Sequence, residues 1–131
     1  MNQQNNENIG YLTVRVSTAR GAIPLENATV SIRGSTEDDS GILYSFESDS
    51  NGLTPKIPLP APNRALSQSP SNEIFYSLWN IDVFCKGFFP ARYINVAIYS
   101  GVTTVQSAEL IPVPQNFIPK ERYNESMTPE L

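Results

Sequence analysis

The chain has 131 residues, 11 prolines, no histidine and a formal net charge of −4. That length fits one domain, and a domain near this size hides about two-thirds of its unfolded surface without needing staples. The acidic balance, with no basic block, excludes nucleic acid and anionic membrane surfaces as favoured partners; the missing histidine excludes His-based triads, His-containing zinc sites and imidazole acid–base work.

Prolines at this density disfavour long helices, because each interior proline costs ~3 kcal/mol there. No stretch approaches the ~20 apolar residues of a membrane span. The opening MNQQNNENIG has neither the basic nor the apolar region of a secretory leader. The expectation is a soluble chain, cytoplasmic by default. A single cysteine, Cys85, allows no intramolecular disulfide.

Residues 1–9 read as a disordered polar tail, with too little apolar surface to offset ordering entropy. Gly10 to Ser17 alternates, with Leu12, Val14 and Val16 inward, and gives a first strand. After bends at Gly21 and Pro24, Ala28, Val30 and Ile32 form the inner face of a second strand. An acidic loop over 34–41 leads to a third strand over Ile42 to Ser48. Asp49-Ser50-Asn51-Gly52 is a tight-turn signal, since Asn-Gly readily supplies positive φ angles. A short fourth strand is expected at Leu53 to Ile57, followed by a proline-spaced loop over 58–72.

The fifth strand, starting near Glu73 to Tyr76, carries the clearest period-2 signal. Trp79, Ile81, Val83 and Cys85 face in, while Asn80, Asp82 and Phe84 face out. The sixth is expected to place Ile94, Val96 and Ile98 inward and Tyr93, Asn95 and Tyr99 outward. Ser100-Gly101 is a turn into a seventh strand, Val102 to Leu110, making three successive antiparallel neighbours. Val105 and Leu110 are five apart, so a bulge between Gln106 and Glu109 would bring both into the core. The alternative is that one of them faces the surface. Residues 113–131 form a proline-rich tail or linker, and the stretch after the seventh strand, with Ile111, Val113, Phe117 and Ile118, is apolar enough to lie on the domain.

These seven short strands give an all-β, seven-stranded antiparallel Greek-key β-sandwich over residues 10–112. Three motifs add a resemblance. Pro24-Leu25-Glu26-Asn27-Ala28-Thr29-Val30 resembles the strand-B entry of carboxypeptidase regulatory-like domains, which have the transthyretin-like, or prealbumin-like, sandwich. Ser48-Asp49-Ser50-Asn51-Gly52 resembles their turn before strand D. Trp79, Ile81, Val83 and Cys85 with Gly87-Phe88 resemble their strand ending in Gly-Tyr. Asn27, Phe88 and the long 58–72 loop depart from the pattern. Leu59 to Pro62 and Leu110 to Pro114 also look like accessory domains of bacterial spore cortex-lytic and peptidoglycan-binding proteins. That resemblance implies a noncatalytic accessory or interaction module near peptidoglycan processing.

No catalytic, cofactor or metal residues are expected. The hydrolases that share the transthyretin-like fold use histidines, and pilin-type isopeptide chemistry needs a core lysine, whereas Lys56, Lys86 and Lys120 fall at turns or in the tail. Cys85 reads as a small buried hydrophobe. Glu37, Asp38, Asp39, Glu47 and Asp49 match no calcium-loop spacing and read as solvated. The sequons at Asn27 and Asn124 lack a secretory context. The binding candidate is an outer aromatic face of Leu78, Phe84, Tyr93 and Tyr99, because exposed aromatic surface marks a partner, a sugar ring or a covering segment. A protein partner, a homo-oligomer or a glycan would suit it, the last making the chain a carbohydrate-binding module.

Overall fold

The computed structural model of the chain describes residues 8–35, 43–62 and 76–114. Its strands are β1 (Ile9–Thr18), β2 (Ile23–Pro24), β3 (Thr29–Gly34), β4 (Leu43–Glu47), β5 (Ile57–Pro60), β6 (Tyr76–Phe84), β7 (Ala91–Tyr99) and β8 (Thr103–Glu109). They form two four-stranded sheets that share one core. In the first, β1 is central, with β2 and β5 along one side and β8 along the other. The second has the order β4-β3-β6-β7, antiparallel throughout. The chain is an all-β sandwich, with the two-residue β2 added to the seven strands expected.

Period-2 alternation builds the core. Leu12, Val14 and Val16 of β1 and Ile57 and Leu59 of β5 meet Val30 and Ile32 of β3 and Trp79, Ile81 and Val83 of β6, all fully or almost fully buried. Each such side chain contributes ~1.5–3 kcal/mol before ordering entropy is deducted. The Trp79 indole N–H donates to Ser77 Oγ at 2.8 Å, and the Ser77 hydroxyl donates to the Pro60 carbonyl at 2.6 Å. The largest core residue therefore keeps its polar atom satisfied while tying β6 to β5.

The turn before β5 is built by its own residues. Asp49 Oδ1 accepts the N–H groups of Asn51 and Leu53, and Gly52 has φ +79° with no room for a Cβ against the Val16 carbonyl. Ser48, buried, accepts the Ala28 N–H and donates to the Leu25 carbonyl, holding the left-handed Asn27 at the entrance to β3.

Four expectations are corrected. First, the strand after Ser100-Gly101 does not fold back on β7. It crosses to the first sheet, where β8 pairs parallel with β1 from Tyr11↔Thr103 to Ser17↔Glu109. The outward groups of β1 need that partner, and Gly101 N–H caps the Ile9 carbonyl at the crossing. Second, the β8 ladder is regular, so Val105 is 59% exposed while Ala108 and Leu110 are buried. No bulge brings Val105 inward.

Third, Pro58–Pro60 lies in β5 rather than in a loop, and Leu53 makes only an isolated bridge to Arg15. Gly10 and Leu12 face Leu59 and Ile57, while Pro58 and Pro60 fall at the alternate positions whose missing N–H points away from β1. The prolines cost the ladder nothing. Fourth, the phase of β7 changes midway. Trp79 faces Val96 but Ile81 faces Tyr93, so Ile94 and Asn95 oppose Asn80 alone. Asn95 has φ 61°, and its N–H donates to Asn80 Oδ1 at 3.0 Å. This one-residue bulge sends Ile94 out, 62% exposed, and turns Tyr93 toward the core.

Candidate functional site

The outer face of the second sheet is the candidate site, and β6 is its axis. Its even-numbered residues, Tyr76, Leu78, Asn80, Asp82 and Phe84, alternate with the buried Trp79, Ile81 and Val83. Cross-strand pairing adds Tyr99 opposite Tyr76, Ala97 opposite Leu78 and Arg92 opposite Asp82. On the other side Thr29, Ser31 and Arg33 of β3 face Phe84, Asp82 and Asn80.

These residues sort into two apolar ends and a polar middle. At one end Phe84 is 55% exposed beside a depression of about 430 Å³, with Thr29, Ser31, Pro90 and the Asp82–Arg92 pair around it. At the other end Tyr76 and Tyr99 meet edge to face, with ring centroids 5.7 Å apart. There, Tyr76 and Leu78 border a second depression of about 400 Å³ with Asn8, Pro60 and Pro62. Tyr76 and Phe84 are eight residues apart on one strand, a separation of roughly 26 Å at ~3.3 Å per residue.

In the middle, Arg92 Nε donates to Asp82 Oδ1 at 2.6 Å. That hydrogen bond, and then the carboxylate's charge, raise the guanidinium pKa above its already high ordinary value. The pair is solvent-exposed, so it adds little to stability; its own two charges offset each other.

Of the residues expected on this face, Leu78, Phe84 and Tyr99 lie on it, but Phe84 stands at the opposite end from the other two. Tyr93 does not lie on it: paired with Ile81, it is half-buried against the core. Tyr76 and the Asp82–Arg92 pair belong to the face and were missed. Tyr76 is in phase with Leu78, a signal present in the sequence; Arg92 could be placed only by allowing a phase change at Asn95. Cys85 is half-buried against the core. Asp49 works within its own turn, while Glu37, Asp38 and Asp39 lie outside the described residues, as do Phe117, Ile118, Lys120 and Asn124. The apolar segment after β8 docks in part: Phe89 N–H donates to the Ile111 carbonyl and Val113 N–H to the Gly87 carbonyl, both at 2.9 Å.

No family model matches the sequence, and none of the curated proteins does. Among solved structures, the chain is similar to the Bacillus anthracis TIE protein at 12% identity and a TM-score of 0.57, over 81% of this chain and 17% of that one. This is a likeness of fold, to a segment of a much longer chain. The minor pilin GBS52 of Streptococcus agalactiae, at 13% identity, has a TM-score of 0.49 over 86% of this chain and 48% of that one. Chlorocatechol 1,2-dioxygenase of Pseudomonas putida, at 16% identity, has a TM-score of 0.48 over 80% and 60%. Those two scores are too low to argue from. The β-sandwich is common to many activities, so function must be argued from the face.

Proposed function

We propose that this chain is a noncatalytic interaction module that binds a protein partner along the outer face of its second sheet. The observation that carries the reading is the placement of an exposed phenylalanine and a tyrosine pair at opposite ends of one face, each beside an open depression. A partner engaging both ends must be extended over roughly 26 Å at ~3.3 Å per strand residue, which suits a polypeptide surface better than a single small molecule. Exposed aromatic anchors flanked by polar groups are the usual makings of such a surface. The motifs resembling carboxypeptidase regulatory-like domains support an accessory role. The resemblance of Leu59–Pro62 and Leu110–Pro114 to spore cortex-lytic and peptidoglycan-binding accessory domains supports a setting near peptidoglycan processing.

The test uses the full chain as bait beside the double variant Phe84→Glu, Tyr76→Glu, with cross-links mapped by mass spectrometry. The reading predicts a protein retained by the native chain, lost with the double variant, and cross-linked to β6 and β7. Equal retention by both would contradict it.

A second reading is favoured by the neutral Asp82–Arg92 pair with the Thr29 and Ser31 hydroxyls beside the Phe84 ring. A neutral polyhydroxyl ligand with one apolar face, a saccharide, matches that chemistry. Titration with soluble peptidoglycan fragments, abolished by Phe84→Ala while no protein is retained, would establish the carbohydrate-binding alternative.

A further inference from the structure

The edges of the two sheets are not equivalent. A strand edge with unpaired N–H and C=O groups recruits another strand unless something blocks it. Prolines Pro24, Pro58 and Pro60 occupy β2 and β5. The Ile94–Asn95 bulge and Arg92 interrupt β7. On the remaining side of the second sheet, the described residues of β4 number five, Leu43–Glu47, and end in the exposed Glu47. By contrast, β8 runs seven residues, Thr103–Glu109, in a regular ladder with no proline, glycine, lysine or arginine.

Its bonding pattern shows which groups are open. Tyr11 N–H donates to the Val102 carbonyl at one end of the β1–β8 ladder, and Leu110 N–H donates to the Ser17 carbonyl at the other. Even-numbered residues of β8 therefore turn their backbone groups toward β1, and Thr103, Val105, Ser107 and Glu109 turn theirs to the other edge, which no other described strand pairs. All four side chains are exposed, Val105 at 59%. The Ser107 carbonyl takes an exposed contact from Gln106 Nε2 at 3.0 Å, which leaves it a second lone pair.

We propose that this edge is a self-association surface, on which a second copy of the chain pairs antiparallel through its own β8. The sequence of β8 is self-complementary about Gln106. In that register Thr103 faces Glu109 of the second copy and Val105 faces Ser107, each pair twice by the two-fold axis. The one charge on the strand, Glu109, then meets a threonine instead of another carboxylate. The two Val105 side chains become diagonal neighbours on the same face, and the four outward residues of each copy exchange about eight backbone hydrogen bonds. The two first sheets join into one continuous sheet, leaving the outer face of each second sheet open. The contact is a single strand edge, so association is concentration-dependent.

Sedimentation and amide hydrogen exchange on the full chain, over roughly 1 µM to 1 mM, the span of weak interfaces, test it. The expected result is a rise from the 14.5 kDa chain to twice that mass. The amides of Thr103, Val105, Ser107 and Glu109 should gain protection in step, while those of Thr104, Gln106 and Ala108 are protected throughout. Val105→Pro removes an N–H that β1 does not use, and Val105→Lys sets a charge on the edge; each should abolish the mass increase with the circular dichroism spectrum unchanged. Should Val105→Pro fail to fold, Val105→Lys alone decides. A chain that stays single at 1 mM, a dimer indifferent to Val105→Lys, or odd-numbered amides protected at every concentration, which would mean another segment of the same chain covers the edge, would each overturn the proposal.

Discussion

β6 and β7 are neighbours of equal length in one sheet, yet they obey the alternation rule differently. β6 keeps one phase from Tyr76 to Phe84, so its inner and outer residues follow from counting by two. β7 keeps one phase from Ala91 to Tyr93 and the other from Val96 to Tyr99, because Asn95 takes a left-handed conformation opposite Asn80. The difference teaches that a single residue able to adopt positive φ can exchange what a strand gives to the core and to the surface. Here the exchange moves Tyr93 inside and puts Arg92 opposite Asp82.

The largest expected effect lies on the regular strand. Ile81 is fully buried at the centre of the core, so Ile81→Ala should cost ~2–5 kcal/mol in a denaturant melt. A loss below ~1 kcal/mol would place it outside the core on that same scale. The bulged strand should divide within two residues. Tyr93→Ala should cost about 1–3 kcal/mol for a half-buried aromatic, while Ile94→Ala next to it should stay within ~0.5 kcal/mol. Equal costs would remove the bulge from the account.

A smaller effect tests the hinge of the comparison itself. Asn95→Val forces a β-branched residue to positive φ and should cost ~1–2 kcal/mol, whereas Asn95→Gly should leave stability within ~0.5 kcal/mol. The smallest belongs to the outer face. Phe84→Ala should change stability by less than ~0.5 kcal/mol, so that any loss of binding it causes reports on the face and not on the fold. Asp82→Asn breaks an exposed pair and should not shift the melting midpoint measurably.

The sandwich was readable because its core is made of uninterrupted alternation in β1, β3 and β6, and because Asp49-Ser50-Asn51-Gly52 carries its own turn chemistry. The destination of β8 was not. Ser100-Gly101 turns the chain equally well into a hairpin or a crossover, and what decides is a distant demand, the unpaired groups of β1. Prolines 58 and 60 were misread for a related reason: whether a proline ends a strand depends on which side its missing N–H faces, and that is set by the partner. At the candidate site Phe84, Leu78 and Tyr99 were readable from phase alone. Tyr93 and Arg92 were not, since both depend on the register across the bulge.

That register is open to one direct measurement, the cross-strand nuclear Overhauser contacts between β6 and β7. The account predicts backbone contacts of Trp79 with Val96 and of Ile81 with Tyr93, with Asn80 alone opposite Ile94 and Asn95. A continuous ladder in which Ile81 pairs with Ile94 would contradict it, returning Tyr93 to the surface and taking Arg92 away from Asp82.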